Sequence, residues 1–424
     1  MTVAVFTHLD LTSLATSTYG IYQRLRVLLE GSQRLGDDLT VICGLRLAEG
    51  RTGAEVETQS RENLQTHWGI DARVVCVPFG PPLDGPWILQ QFRAALLYRW
   101  SPILRGLSSP DARAALRRAA DEATIIVAHR LPLMTSLLNA GPIRAPVFFD
   151  LDDIEPIALW RHARTNPSAR ARFFIRLSCA GITLAMWRAI RHARLTFVCS
   201  ELDRARLAQR AAGRAVRVVP NSTSVNPQAG PVADAPVLLM VGVYSFRPNA
   251  DGADYFIDEV WPRVKAAVPD AELWLAGAGV EHLRSYARRP EGVSFLGFVD
   301  DLNGVYARSR AVICPLRSGG GTRIKLLEAA GQRRPVVSTR VGAEGIGFQD
   351  GEDAFIVDDA ASFAARCIQV LEDKPLAERL ALNAYRRIER DYARGAVVDL
   401  LRALIQSEAP TPGARGSTAI VPGR

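Results

Sequence analysis

In Cys314-Pro315-Leu316-Arg317-Ser318-Gly319-Gly320-Gly321-Thr322-Arg323-Ile324-Lys325-Leu326-Leu327-Glu328, an apolar strand starting at Ala311 runs into three glycines. A helix follows, whose first turn carries Arg323 and Lys325. Bare backbone at the glycines lets an anion approach closely. The helix N-terminus adds free N–H groups and the positive end of a dipole. Two cations in that turn oppose the dipole, an arrangement that a bound anion relieves, so the stretch calls for a phosphate. Glu328 follows about a turn and a half later, placed to accept hydrogen bonds from two ribose hydroxyls. Phosphate and ribose together imply a nucleotide.

The common nucleotide motifs fit poorly. Gly321 is followed by Thr322-Arg323, not by the Lys-Ser or Lys-Thr of a Walker loop. Leu275-Ala276-Gly277-Ala278-Gly279 resembles part of a dinucleotide fingerprint, but His282 stands at the third glycine position.

Working outward, the second half carries an ordered series that resembles the family-four type of GT-B fold glycosyltransferases. Upstream stands Val218-Val219-Pro220-Asn221, similar to that family's interdomain turn. Val241-Gly242 and Ser245-Phe246-Arg247-Pro248-Asn249 come next, then Leu273 to Gly279 and Val293-Ser294-Phe295-Leu296-Gly297-Phe298-Val299-Asp300. After the glycine loop come Pro335 to Thr339 and Gly342-Ala343-Glu344-Gly345. The resemblance implies two Rossmann-like α/β domains facing across a cleft, with a C-terminal helix crossing back to the first. It also implies transfer of a sugar from a nucleoside diphosphate sugar to a hydroxyl acceptor, with retention and without a metal. The sugar nucleotide is then a co-substrate, and no cofactor is expected. The family usually carries two glutamates eight positions apart. The second matches Glu328, and the first falls on Gly320.

Arg323, Lys325, Glu328 and His129 are the expected catalytic residues. By resemblance, Gly242, Arg247, Gly277, Gly297, Phe298, Gly320, Gly321, Thr322 and Leu327 form the nucleotide-binding set, with Gly297 and Phe298 at the base. His129 ends a strand and resembles the histidine lining the family's acceptor face. Tyr19, Asp150 and Asp152 are expected at the acceptor cleft. Asp150-Leu151-Asp152 also has the Asp-x-Asp form that holds a divalent ion in other glycosyltransferases. That reading ranks lower, because Arg and Lys already supply charge at the phosphate.

The chain has 424 residues, a net charge of +8 and 48% hydrophobic residues, enough for two or three cores. A basic balance suits anionic partners. Six scattered cysteines form no Cys-x-x-Cys pair, which favours a reduced, cytoplasmic setting. The start, Met1 to Phe6, reads as a strand. The longest apolar run, Leu177 to Trp187, falls short of the roughly 20 residues that span a bilayer.

Strand–helix alternation begins with strands at Val3–Phe6, Leu39–Cys43, Val74–Val77, Thr124–Ala128, Val147–Phe149 and Leu195–Cys199. It predicts an acceptor-binding domain over 1–220, a linker over 221–236 and a nucleotide-sugar domain over 237–385. A returning helix over 386–407 and a disordered tail over 408–424 complete the chain. Two basic, apolar segments, Trp87 to Arg118 and Trp160 to Arg194, suit an anionic membrane surface. The expected partners are thus a sugar nucleotide, a hydroxyl acceptor that can be lipid-linked, and the inner face of a membrane, with no nucleic acid. Two alternatives stand beside the transferase: a non-catalytic nucleotide-sugar-binding or membrane-associated subunit, and a dinucleotide-dependent enzyme.

Overall fold

The computed structural model describes residues 1–16, 20–36, 38–47, 50–78, 109–165, 168–209 and 213–409. The chain divides into two compact units, Met1–Pro220 with Val398–Arg424, and Asn221–Val397.

The first unit holds a seven-stranded parallel sheet. Its strands are β1 (Thr2–Thr7), β2 (Asp38–Leu45), β3 (Arg73–Pro78), β4 (Ile125–His129), β5 (Val147–Asp152), β6 (Leu195–Val198) and β7 (Val216–Val218), in the order β3-β2-β1-β4-β5-β6-β7. The strands read as unbroken apolar runs because helices cover both faces. Val3 pairs with Leu39 on one side and Ile125 on the other. Between β5 and β6 the register shifts at Asp150/Asp152.

The second unit repeats this plan with β8 (Val237–Val241), β9 (Glu272–Ala276), β10 (Val293–Gly297), β11 (Ala311–Cys314), β12 (Val336–Ser338) and β13 (Phe355–Ile356). Their order is β10-β9-β8-β11-β12-β13, all parallel. Its core joins Leu238, Leu239, Leu275, Val312, Ile313, Leu326 and Leu327 with Phe363 and Leu380 from the later helices. Each unit is therefore a Rossmann-like α/β domain, as the alternation predicts. In each, the strand order reverses beside the first strand, at β1/β4 and at β8/β11. Ligands of open α/β sheets bind at such points, beyond the strand C-termini.

Three details depart from the sequence reading. The expected linker 221–236 is folded onto the second unit: Asn226 N–H donates to Gly331 O, and Thr223 N–H donates to Tyr392 O. The returning helix expected over 386–407 falls on two helices, Lys374–Asp391 and Arg394–Glu408. Thr223 accounts for the break. It bridges Ala393 as a strand would, taking the Tyr392 carbonyl and the Arg394 N–H away from helical partners. Finally, the apolar run near Leu177 belongs to a helix, Ala169–His192, whose Arg172–His192 portion is long and apolar enough to cross a membrane by length and composition. Arginines at its margins had marked it shorter.

Candidate functional site

The second unit's switch point gathers most of the residues singled out from the sequence. β11 ends at Cys314, and the loop leads into the helix Ile324–Gly331. Gly319 (φ +126°) and Gly321 (φ +70°) lie in the left-handed region, which favours glycine. These turns fold Arg323 back over the loop. Its Nη1 donates to the carbonyls of Gly320 and Gly321. Its Nε and Nη2 are buried with no partner, as is the Thr322 hydroxyl. Buried donors are normally satisfied, so three orphan groups beside a helix N-terminus mark a place for an acceptor.

Lys325 points to the same place. Its Nζ donates to Asn249 Oδ1 at 2.8 Å, and Asn249 Nδ2 donates to Val243 O at 2.9 Å. A Cβ on Gly242 would lie 3.0 Å from both Lys325 Nζ and Asn249 Nδ2. Glycine at 242 therefore makes room for the ammonium. Burial pushes the Lys325 pKa down, and Arg323 adds to this. Glu328 is half-buried, and burial pushes its carboxyl up to about 7, against a smaller opposing pull from Lys325. Among the described residues its carboxylate has no hydrogen bond or ion pair. Cations without a carboxylate partner and a carboxylate without donors are what a site prepared for a phosphate and a diol requires.

The loop ends around this centre are held by backbone. Gly277 (φ +130°) donates to Gly297 O at 2.6 Å, and its missing Cβ would meet Gly242 O at 1.8 Å. No side chain fits there, so the ends of β8, β9 and β10 close on one another. The stretch after Gly279 is a short turn, Val280–His282, and it follows the unit's second strand. A dinucleotide fingerprint instead opens a helix after a first strand. Gly297 (φ +67°) faces open space, and Phe298 and Arg247 are exposed. Leu327 is fully buried in the core, so its side chain presents nothing to the loop.

The first unit's switch point carries a second cluster. His129 is fully buried at the end of β4. Its Nδ1 lies 3.1 Å from Thr7 Oγ1, while Nε2 has no hydrogen bond and sits 3.9 Å from Asp150 Oδ2. His8, at the end of β1, stacks on it with ring centroids 6.2 Å apart. Burial holds His8 down at about 4 and His129 well below the usual imidazole range. Both rings are therefore neutral at physiological pH.

Asp150 is fully buried in an ion pair with Arg24, whose Nη2–Oδ1 distance is 2.5 Å. Arg24 also donates to the carbonyls of Val219 and Pro220. Asp150 thus anchors the end of β7 and is closed to a ligand. Asp152 (φ +60°) and Arg130 (φ +67°) are left-handed non-glycine residues on neighbouring strand ends, 3.8 Å apart. Such outliers concentrate at functional sites. Ligand atoms of Asp152, Asp153 and Cys199 lie within 4.8 Å of one another. The Cys199 thiol is held protonated by burial and donates to Asp152, and Arg130 stands beside Asp152, so the charge there is already answered. Ser17, Thr18 and Tyr19 lie outside the described residues.

Asn249, His8, Arg24 and Arg130 carry contacts that the sequence reading did not assign. An arginine on the apolar face of a helix, as Arg24 is beside Leu25 and Leu28, was the one legible signal among them.

Residues 235–373 match the family model described as glycosyl transferases group 1, so the resemblance read from the motifs is borne out there. Relatives include a 44.6 kDa protein of the cps region of Klebsiella pneumoniae, 26% identical over 163 residues. That match covers 37% of this chain and 42% of the relative. The lipopolysaccharide core biosynthesis glycosyltransferase LpsE of Rhizobium meliloti is 29% identical over 209 residues, covering 46% of this chain and 59% of LpsE. The chain thus spans about half the length of these relatives. Among solved structures, sucrose-phosphate synthase from Thermosynechococcus elongatus aligns with a TM-score of 0.68 at 16% identity, covering 96% of this chain and 98% of that one. HepE of Anabaena, solved with UDP and glucose, aligns with a TM-score of 0.62 at 17% identity, covering 96% and 100%. These likenesses bear out the two-domain GT-B fold.

Proposed function

We propose that this protein is a glycosyltransferase. It moves a sugar from a nucleoside diphosphate sugar to a hydroxyl of a glycan, glycolipid or small-molecule acceptor. The observation that carries this reading is the convergence at β8/β11. Arg323 and Thr322 offer unpartnered buried donors, Lys325 is held over Gly242, and Glu328 waits without a donor.

As the anomeric C–O bond breaks, its electron pair passes to the departing diphosphate. Lys325, Arg323 and the helix N-terminus meet that growing charge in a site that needs no rearrangement. Glu328 takes the ribose hydroxyls. The exposed Arg247, on the first turn after β8, is placed to add a second cation. The acceptor hydroxyl oxygen forms the new bond to the anomeric carbon, and its proton passes to the departing diphosphate. The first unit's strand end at His8, which is partly exposed and stacks on the buried His129, is our candidate acceptor region, with a neutral ring that suits hydroxyl recognition.

The family resemblance supports retention of configuration. Independence from metal is supported by two protein cations at the phosphate position. LpsE, named for lipopolysaccharide core biosynthesis, supports a role in surface glycan assembly.

The test is release of nucleoside diphosphate from a panel of UDP-, GDP-, ADP- and TDP-sugars in the presence of a glycan acceptor, with and without EDTA. Acceptor-dependent release with one base, unaffected by EDTA, is expected. Tight diphosphate binding with no release on any acceptor would move the protein to the non-catalytic class.

A further inference from the structure

From Pro156 to Ser200 the chain contains eight arginines and no aspartate or glutamate. The structure folds most of this stretch into two helices of the first unit, Glu155–Thr165 and Ala169–His192. The longer one buries Met186, Ala189 and Ile190 in the core. Its opposite face reads Phe173, Arg176, Ala180, Leu184, Arg188 and Arg191, spaced three or four apart, and every one of them is exposed. Phe173 is 58% and Leu184 67% exposed. Trp160, 48% exposed on the shorter helix, extends the apolar surface sideways, with the Arg176 guanidinium 5.3 Å above its ring.

Among the described residues, neither Arg176 nor Arg191 has a carboxylate partner, and Arg188 donates only to the neutral Asn139 Oδ1 and Leu138 O. The stripe runs about 27 Å at 1.5 Å per residue. Large apolar side chains in water are unfavourable, and so are the like charges of Arg188 and Arg191, one turn apart and within a Debye length of about 8–10 Å. One partner relieves both. A bilayer interface takes Phe173, Leu184 and Trp160 below the headgroups, while the arginines extend to anionic phosphates. Length and composition also permit a membrane-crossing helix. The packing of Met186, Ala189 and Ile190 against the sheet requires instead that the helix lie along the surface of its unit.

We propose that this face docks the protein on an anionic lipid bilayer, with Ala169–His192 lying flat in the interface. The proposal stands independently of the nucleotide reading.

The experiment is cosedimentation of the full chain with phosphatidylglycerol-containing vesicles and with pure phosphatidylcholine vesicles, at low and high salt. The wild type should bind the anionic vesicles, bind phosphatidylcholine weakly, and lose affinity as salt rises. Each exposed arginine contributes roughly fivefold to partitioning near an anionic surface. Arg176→Glu with Arg188→Glu should therefore lower binding by about 25-fold or more. Phe173→Asp with Leu184→Asp should abolish insertion and reduce binding at both salt concentrations. Nucleoside diphosphate affinity should stay unchanged in both pairs, which reports an intact fold. Binding to anionic vesicles that neither pair weakens would overturn the proposal. So would a dimer that Leu184→Asp dissociates in protein showing no vesicle binding, because the face would then belong to a second copy of the chain. Preferential capture of RNA over vesicles by the same arginines would overturn it as well.

Discussion

Lys325 and Glu328 sit on one helix, and each carries a prediction of its own. Replacing Lys325 by alanine removes a cation aimed at the leaving group, but it leaves the core intact because Leu326 and Leu327 do the packing. Turnover should fall about 10²–10³-fold, the usual loss for a preorganised charge-stabilising group, with little change in melting temperature. Glu328 titrates near 7 because burial disfavours its charge. Its folded pKa lies above the unfolded value, so the stability it contributes is full below about 4.5 and is lost as pH rises through about 7. Glu328→Gln should therefore stabilise the ligand-free protein at pH 8. The gain should be about 1–3 kcal/mol at most, discounted because the group is partly open to water. The same change should weaken nucleotide binding at pH 8, since an ionised carboxylate accepts ribose hydroxyls better than an amide does. Wild-type affinity should fall between pH 8 and pH 6, and the variant's should change less. Parallel pH profiles for the two proteins would remove Glu328 from the site. Gly320 does not adopt the left-handed conformation of Gly319 and Gly321, so its φ does not bar a side chain. Gly320→Glu restores the family's usual first glutamate, and it should alter the choice of donor sugar more than the choice of base. An unchanged sugar preference would mean that this position does not reach the donor.

The strands were legible because most are short apolar runs bounded by turn residues, as burial on both faces requires. The glycine loop was legible for a different reason: three glycines in a row between a strand and two cations have few other uses. The break at Tyr392–Ala393 was not legible. It depends on Thr223, far away in sequence, which no local pattern reveals. Asp150 misled for the same reason. Its neighbours suggested an open strand end, but Arg24 from a distant helix closes it. The helix Arg394–Glu408 shows what such distant packing contributes. Leu401 is fully buried, and its Cδ2 occupies the space above Gly31, only 2.8 Å from where a Cβ would sit. Leu401→Ala should cost about 2–5 kcal/mol, the range for emptying a packed leucine site. The loss should be seen as a lower unfolding midpoint of the first unit. A midpoint within error of wild type would show that this helix does not stabilise that unit.

Two units of the same topology differ in the charge at their switch points. In the second, Arg323 and Lys325 at the β8/β11 switch point have no carboxylate partner among the described residues, while Arg317 in the same loop is paired with Asp251. In the first, the charged groups at β1/β4 and β5 are largely answered by one another, through Arg24 with Asp150 and Arg130 with Asp152. That contrast is why the anionic leaving group is assigned to the second unit and the neutral hydroxyl acceptor to the first. The excess of basic residues, +8 over the chain, includes the arginine face beside Leu184 as well as the phosphate site. The most direct test of the assignment is isothermal titration of wild type and Lys325→Ala with UDP, GDP, ADP and TDP, each with and without EDTA. The account predicts that one diphosphate binds the wild type equally well in chelator and binds the variant at least about tenfold more weakly, the loss expected for a hydrogen bond to a charged group. Equal affinity in the two proteins, or no binding of any diphosphate, would contradict it.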